Sequence, residues 1–267
     1  MTTNYIISGG EGFIGTNLAD KIPEDDSLTI LDKKLGYDLC IKPIKVSHCD
    51  TFIHLAAITN VRDSLQHPKK VILDNCSMTL RCLDYVRAQG SHFVFSSSMG
   101  APELLSPYSA SKLACEEFIT TYCKTYGVPA TILRLSNVYG PHSMHKTSVV
   151  AKFIKQCINH KSLEIYGDGL QTRDFIYVDD VVSTILSCKM RLVNVASGTS
   201  TAVSELAETI RHISMKFLNY KPEITHLDAI KGEITKIDPL TDIRPATTLY
   251  KGLTTTFKWF MDNYNAK

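Results

Sequence analysis

A chain of 267 residues is long for one compact core and short for two full-size ones, which predicts one large domain or a main domain with a smaller lobe. With 44% hydrophobic, 21% charged and 9% aromatic residues, 14 glycines and 10 prolines, the disordered, collagen-like and disulfide-scaffold classes are excluded. The 29 basic against 27 acidic residues leave a net charge of +2 with no Lys/Arg run longer than two, so neither nucleic acid nor a membrane surface is an expected partner. The eight cysteines stand singly, without a C-x-x-C pair or Cys/His spacing for zinc, so no metal is expected and reduced, packed thiols are the reading. The N-terminal MTTNYIISGG lacks a basic, then apolar, leader pattern, and no run of roughly 18 apolar residues occurs, so a cytoplasmic protein is expected.

Along the chain, the first strand is Tyr5–Ser8, followed by a glycine turn and a helical pattern over Thr16–Lys21. Strands are predicted at Leu28–Leu31, ending on Asp32, at Thr51–Leu55 and at His92–Ser96, the last running into a row of serines. Helices are predicted from about His67 to Gln89 and from about Tyr108 to Tyr126, the second closed by Gly127 before a strand at Ala130–Leu135. Alternating β and α predicts an α/β fold, a doubly wound parallel sheet with helices on both faces. After Pro141 the pattern loosens: a helix near Val149–Asn159, a strand near Leu163–Tyr166, a Gly-Asp-Gly turn, then mixed elements. The expected division is a dinucleotide-binding domain over 1–140 and a substrate-binding lobe over 141–267, with about 174–195 returning to the sheet.

Gly10, Gly12 and Gly15 form G-x-G-x-x-G where a strand turns into a helix, and Asp32 ends the next strand 22 residues after Gly10. Glycines admit a pyrophosphate to the backbone, the helix N-terminus offers unpaired N–H groups, and the acid accepts from a ribose hydroxyl. Three glycines alone equally describe a tight turn without ligand; the strand, the helix and the placed acid favour dinucleotide binding. Asp32 repels a 2′-phosphate, which points to NAD over NADP, although Lys33 and Lys34 beside it weaken that choice. Tyr108 and Lys112 are four apart on a helix and project from one face, where an ammonium favours the phenolate of a neighbouring phenol. A tyrosine starts near pKa ~10, so a base at neutral pH requires about 4 kcal/mol of differential stabilisation.

Six segments run in one order through about three quarters of the chain: Gly9–Gly15, Asp50–Ala57, Phe95–Ser98, Ser106–Lys112, Arg134–Pro141 and Gly167–Asp180. In these the sequence resembles the extended short-chain dehydrogenase/reductase family and, within it, the NAD-dependent nucleotide-sugar epimerase/dehydratase group. The resemblance implies a Rossmann fold, NAD as cofactor, a nucleotide-sugar substrate and a catalytic set of Ser98, Tyr108 and Lys112. Tyrosine takes the sugar hydroxyl proton as hydride leaves its carbon, lysine also holds the nicotinamide ribose, and serine hydrogen-bonds the reacting oxygen. Besides Gly9, Gly12, Gly15 and Asp32, the resemblance places at the cofactor Phe13 and Ile14 (pyrophosphate), Asp38 and Leu39 (adenine), Leu55, Ala56 and Ala57 (ribose) and Asn75. For the apolar ones core packing is an equal reading. Asn137 and Arg173 match positions that hold the substrate diphosphate, Arg suiting it by its planar fork, although Arg173 beside Asp174 also reads as a surface ion pair.

The resemblance further implies a homodimer built from the helices around His67–Gln89 and Tyr108–Tyr126. The activity expected from the resemblance is C4 epimerisation of a nucleotide sugar, a UDP-sugar first. A 4,6-dehydratase or decarboxylase of the same group is the alternative, as is a non-catalytic NAD-binding protein. The sequence departs from the pattern in having only ten positions from Ser98 to Tyr108, in a shortened stretch between Asp32 and Asp50, and in Ile230 where an arginine is common. The last departure leaves one diphosphate contact missing or supplied by Lys231 or Arg244.

Overall fold

A computed structural model describes residues 2–229 and 239–264. The first half runs β1 (Asn4–Ser8), α1 (Phe13–Ala19), β2 (Ser27–Leu31), β3 (Thr51–His54), α2 (Val61–Gln66), α3 (Pro68–Gln89), β4 (His92–Ser98), α4 (Pro107–Tyr126) and β5 (Ala130–Leu135). The second half continues with β6 (Asn137–Tyr139), α5 (Val149–Ile158), β7 (Leu163–Tyr166), β8 (Thr172–Tyr177), α6 (Val178–Ser187), β9 (Leu192–Val195), β10 (Ser200–Ala202), α7 (Val203–Leu218), β11 (Ile224–Leu227) and α8 (Leu249–Tyr264).

Contacts divide the chain into two units, Met1–Leu135 with Val182–Val195 and Ser136–Val181 with Ala196–Lys267. The first holds a six-stranded parallel sheet in the order β2-β1-β3-β4-β5-β9. Parallel neighbours need crossovers, which α3 and α4 supply for β3, β4 and β5. Their strands are apolar on both faces: Ile6, Phe52, Phe93 and Phe95 pack in a cluster with Cys82, Leu83 and Val86 of α3 and Cys115 and Ile119 of α4, while the alternating Ile7, Ile53 and Val94 are also buried. Each of these two helices starts on a proline and ends on a left-handed glycine, Gly90 and Gly127; Ser106 caps α4 by accepting from Ser109 N–H at 3.1 Å.

The second unit carries β6 parallel to β8, β10 antiparallel to β8, and β7 parallel to β11, with α5, α7 and α8 packed on one another. Two expectations are corrected here. The change of unit falls after Leu135, because Asn137–Tyr139 pair with Phe175–Tyr177. Residues 174–181 likewise stay in the second unit, and only from Val182 does the chain rejoin the sheet through β9. Among the described residues no helix is long and apolar enough to cross a membrane.

Candidate active site

The glycine turn is built as its sequence requires. Gly9 has φ +74°, and a Cβ there would lie 2.7 Å from the Ala56 nitrogen, so only glycine fits beside the segment leaving β3. A Cβ on Gly15 would run into the Gly9 carbonyl oxygen and come within 2.6 Å of Gly10 Cα, so this glycine lets α1 lie against the turn. Helix α1 begins at Phe13, earlier than expected, and Gly12 ahead of it offers no side-chain cap, which leaves the first-turn N–H groups for an anion. Phe13 is buried, and Ile14, Leu55, Ala56 and Ala57 are half-buried around this turn.

Asp32 accepts from Glu11 N–H at 3.1 Å on one oxygen and from Lys34 N–H at 2.8 Å on the other, which ties the end of β2 to the glycine turn and keeps an acceptor position on each oxygen. The two lysines that cloud the choice of cofactor are engaged elsewhere: Lys34 Nζ donates to Glu11 O at 2.7 Å, and Lys33 pairs with Asp38 at 3.1 Å. The Asp38 carboxyl, bonded by Cys40 N–H and then by Lys33, is held below the usual carboxylate range. Leu39 packs into the core cluster. Asn75 accepts from Ile58 N–H at 2.8 Å and donates to Ile58 O and, at 3.0 Å, to Ser111 Oγ, so it fastens the loop after β3 to α4 and its amide is taken up within the protein. Donors at a helix start, room that only glycine leaves and an acceptor at the second strand end fit a dinucleotide.

Each of the three serines ending β4 has a different use. Ser96 Oγ donates to His54 O, Ser97 Oγ donates to Glu116, and Ser98 Oγ only accepts, from Gly100 N–H at 3.2 Å. Ser98 is therefore the one whose hydroxyl hydrogen is not donated within the described structure. Lys112 is 3% exposed; its Nζ donates to Ser96 O at 2.7 Å and lies 4.5 Å from the centre of the Phe95 ring. Burial lowers its pKa to about 8, with Cys115 and Glu116 acting against the fall. Tyr108 is half-buried, and desolvation pushes its phenol up to about 12. Burial alone raises the phenol here, and the Lys112 ammonium is hydrogen-bonded to a backbone carbonyl.

Each unit also holds buried polar groups that pattern reading passed over. His54 is buried, with Nδ1 2.6 Å from Ser8 Oγ and Nε2 3.2 Å from Thr79 Oγ1, and desolvation followed by Lys112 lowers its pKa to about 3. In the second unit Asp174, 2% exposed, accepts from Ser136 Oγ at 2.6 Å, Ser197 N–H at 2.9 Å, Ser197 Oγ at 2.7 Å and Thr199 N–H at 3.2 Å. Its backbone carbonyl accepts from Asn137 Nδ2 at 2.9 Å. Asp174 is thus a strut and not the surface partner of Arg173, whose Nη1 donates to Thr172 O at 2.8 Å. A signal was present, since Asp174 stands inside the Gly167–Asp180 segment. Lys231 and Ile230 lie outside the described residues, and Arg244 is exposed.

Fold and site together define an α/β dinucleotide-binding enzyme with a serine at the C-terminal end of β4 and a tyrosine and a lysine in the first two turns of α4. The chain belongs to the NAD dependent epimerase/dehydratase family, whose model matches residues 5–199. It is 32% identical over 306 residues to a Methanocaldococcus jannaschii protein named "Putative UDP-glucose 4-epimerase", covering 97% of this chain and 98% of the relative. It is 26% identical over 320 residues to the UDP-N-acetyl-alpha-D-glucosaminuronate decarboxylase of Bacillus cytotoxicus, covering 99% and 100%. Among solved structures it is similar to the UDP-N-acetylglucosamine 4-epimerase of Methanobrevibacter ruminantium M1 in complex with UDP-N-acetylmuramic acid, with a TM-score of 0.90, 26% identity, and 98% and 100% of the two chains covered.

Proposed function

We propose that the protein interconverts the C4 epimers of a nucleotide sugar, a UDP-sugar first, through a transient 4-keto sugar. One observation carries this reading. The connection from Ser98 to Tyr108 brings no further proton-moving group inward: Met99, Gly100, Ala101 and Pro102 carry none, and Glu103, the one acid, is exposed on a tight turn in which Leu104 N–H bonds Ala101 O at 3.4 Å. Elimination of water or handling of a carboxylate needs such a group beside the keto intermediate. With NAD as the hydride acceptor, Ser98, Tyr108 and Lys112 suffice to take the proton of the C4 hydroxyl and to return it.

NAD, when bound, supplies the hydride acceptor and a positive ring charge. In the proposed assignment the glycine turn, Phe13, Ile14 and Asp32 hold it, with Asp38 near the adenine and Leu55, Ala56 and Ala57 beside a ribose. Tyr108 takes the proton of the C4 hydroxyl, Ser98 donates to that oxygen, and Lys112 keeps its charge close to both the phenol and the nicotinamide ribose. Asn137 and Arg173 hold the substrate diphosphate. We also propose a homodimer through α3 and α4; light scattering at the monomer mass would end that part. For the reaction, the purified protein is incubated with UDP-glucose, UDP-N-acetylglucosamine and UDP-glucuronate without added reductant, and products are read by NMR. A C4 epimer of unchanged mass is expected; a 4-keto-6-deoxy sugar or a pentose would overturn the reading and bring Glu103 into the mechanism.

A further inference from the structure

One turn beyond Lys112 on α4 sits a second buried charge that the proposed chemistry leaves unused. Glu116 is 4% exposed. Arg134 of β5 grips its carboxylate with a fork, Nε at 3.0 and 3.2 Å and Nη2 at 2.6 Å, and Ser97 Oγ of β4 donates to Oε1. These bonds join α4 to the two strands beneath it, on the stretch that carries both Tyr108 and Lys112. A buried ion pair is a poor device for stability alone, because taking both charges out of water offsets most of their attraction and an apolar pair of the same size does as well. Its carboxylate is, however, a buried negative charge one helical turn from a buried ammonium.

We propose that Glu116, fixed by Arg134 and Ser97, is a positioning residue that holds Lys112 in its charged form and in register with Tyr108. Of the groups around Lys112, two favour its proton, Cys115 first and Glu116 second. On its own helix lie Tyr108 and Cys115, whose thiol is lowered to about 7 by its hydrogen bond with Cys76; from β4 come the Ser96 carbonyl and the Phe95 ring; from β3 comes His54, which burial keeps neutral. Glu116 is the carboxylate among them, and it opposes the burial that pulls the lysine towards about 8. Without it one of the two groups that oppose the burial of Lys112 is gone, which weakens both the field that makes Tyr108 a base and the donor for the cofactor ribose.

This inference rests on the proposed role of Lys112, yet its test does not depend on turnover. The protein is labelled with 13C at lysine Cε and titrated by NMR, the Lys112 signal being the one missing from Lys112→Arg. In Glu116→Gln that titration is expected to fall by about half a pH unit or more, since an opposite charge has been removed from a buried neighbour. Glu116→Asp should restore most of it, which a purely structural role would not require. In the double variant Glu116→Gln/Arg134→Gln, which leaves no charge unpaired and stands in if the single variant fails to fold, the titration should fall as well. A Lys112 titration unmoved or raised in either folded variant would overturn the proposal, whether or not the product assay detects an epimer. If epimerisation is detected, the alkaline limb of its pH profile should shift with the NMR titration.

Discussion

Replacing Gly15 by alanine tests whether the glycine turn is a cofactor cradle. The added methyl would overlap the Gly9 carbonyl oxygen and stand 2.6 Å from Gly10 Cα and 2.7 Å from Gly10 O. All three are backbone atoms, and the turn has little room to withdraw: Glu11 N–H is bonded to Asp32, and Gly9 already abuts the Ala56 backbone. Helix propensity favours alanine by about 1 kcal/mol, whereas overpacking of this kind costs about 1–3 kcal/mol. A net destabilisation of about 1 kcal/mol is expected, lowering the melting temperature by roughly 2–4 °C for a chain of this size. The larger effect should fall on the cofactor: moving α1 off the turn displaces its first N–H groups, and losing one charge-assisted bond to a pyrophosphate costs about 1.5 kcal/mol, or tenfold and more in NADH affinity. Thermal melts and NADH fluorescence titrations measure both. A variant with parental melting and parental NADH affinity would refute the reasoning.

Further outcomes are expected. Tyr108→Phe should bind NADH as the parent does and lose turnover by several orders of magnitude, read by product NMR; activity within tenfold of the parent would remove Tyr108 from the mechanism. Asp32 should set the choice of cofactor, with NADH bound more tightly than NADPH by calorimetry, and the reverse order would contradict its role. Asp174→Ala leaves the Ser136, Ser197 and Thr199 donors without their acceptor inside the second unit, a loss of about 3 kcal/mol visible in thermal unfolding and limited proteolysis; an unchanged melt would sink that account. His54 is neutral in the fold with a pKa near 3, so an unfolded chain binds its proton first as pH falls through ~6.5, and stability should drop by about 1.4 kcal/mol per pH unit from there towards 3. Burial lowers His92 to about 4 and adds to the same slope, so urea unfolding from pH 7 to pH 4 should flatten in His54→Asn without becoming level.

The parallel sheet was legible because its strands obey local rules: both faces are apolar, and glycine or a cap marks each end. Strand β5 runs from Ala130 to Leu135 as its pattern predicts. The glycine turn was legible for the same reason, since Gly9, Gly15 and Asp32 act through the backbone of their own neighbourhood. The polar interior was hidden because its partners are distant in sequence. Nothing local marks Glu116 as the partner of Arg134 or His54 as that of Ser8, and periodicity reads either as one more helix or strand position. The second unit was read loosely, because β8 borrows β6 and β10 as neighbours and its strands are short. The rise of the Tyr108 phenol comes from the depth of its burial, which only packing reveals.

The proposed reaction is tested most directly with UDP-glucose carrying deuterium on C4. If hydride leaves C4 and returns to it, deuterium NMR should find the label on C4 of both UDP-glucose and UDP-galactose, with total mass unchanged and no label in water. Deuterium on C6 with loss of water from the sugar, or recovery of the substrate without any epimer under conditions where NADH binding is saturated, would contradict epimerisation at C4.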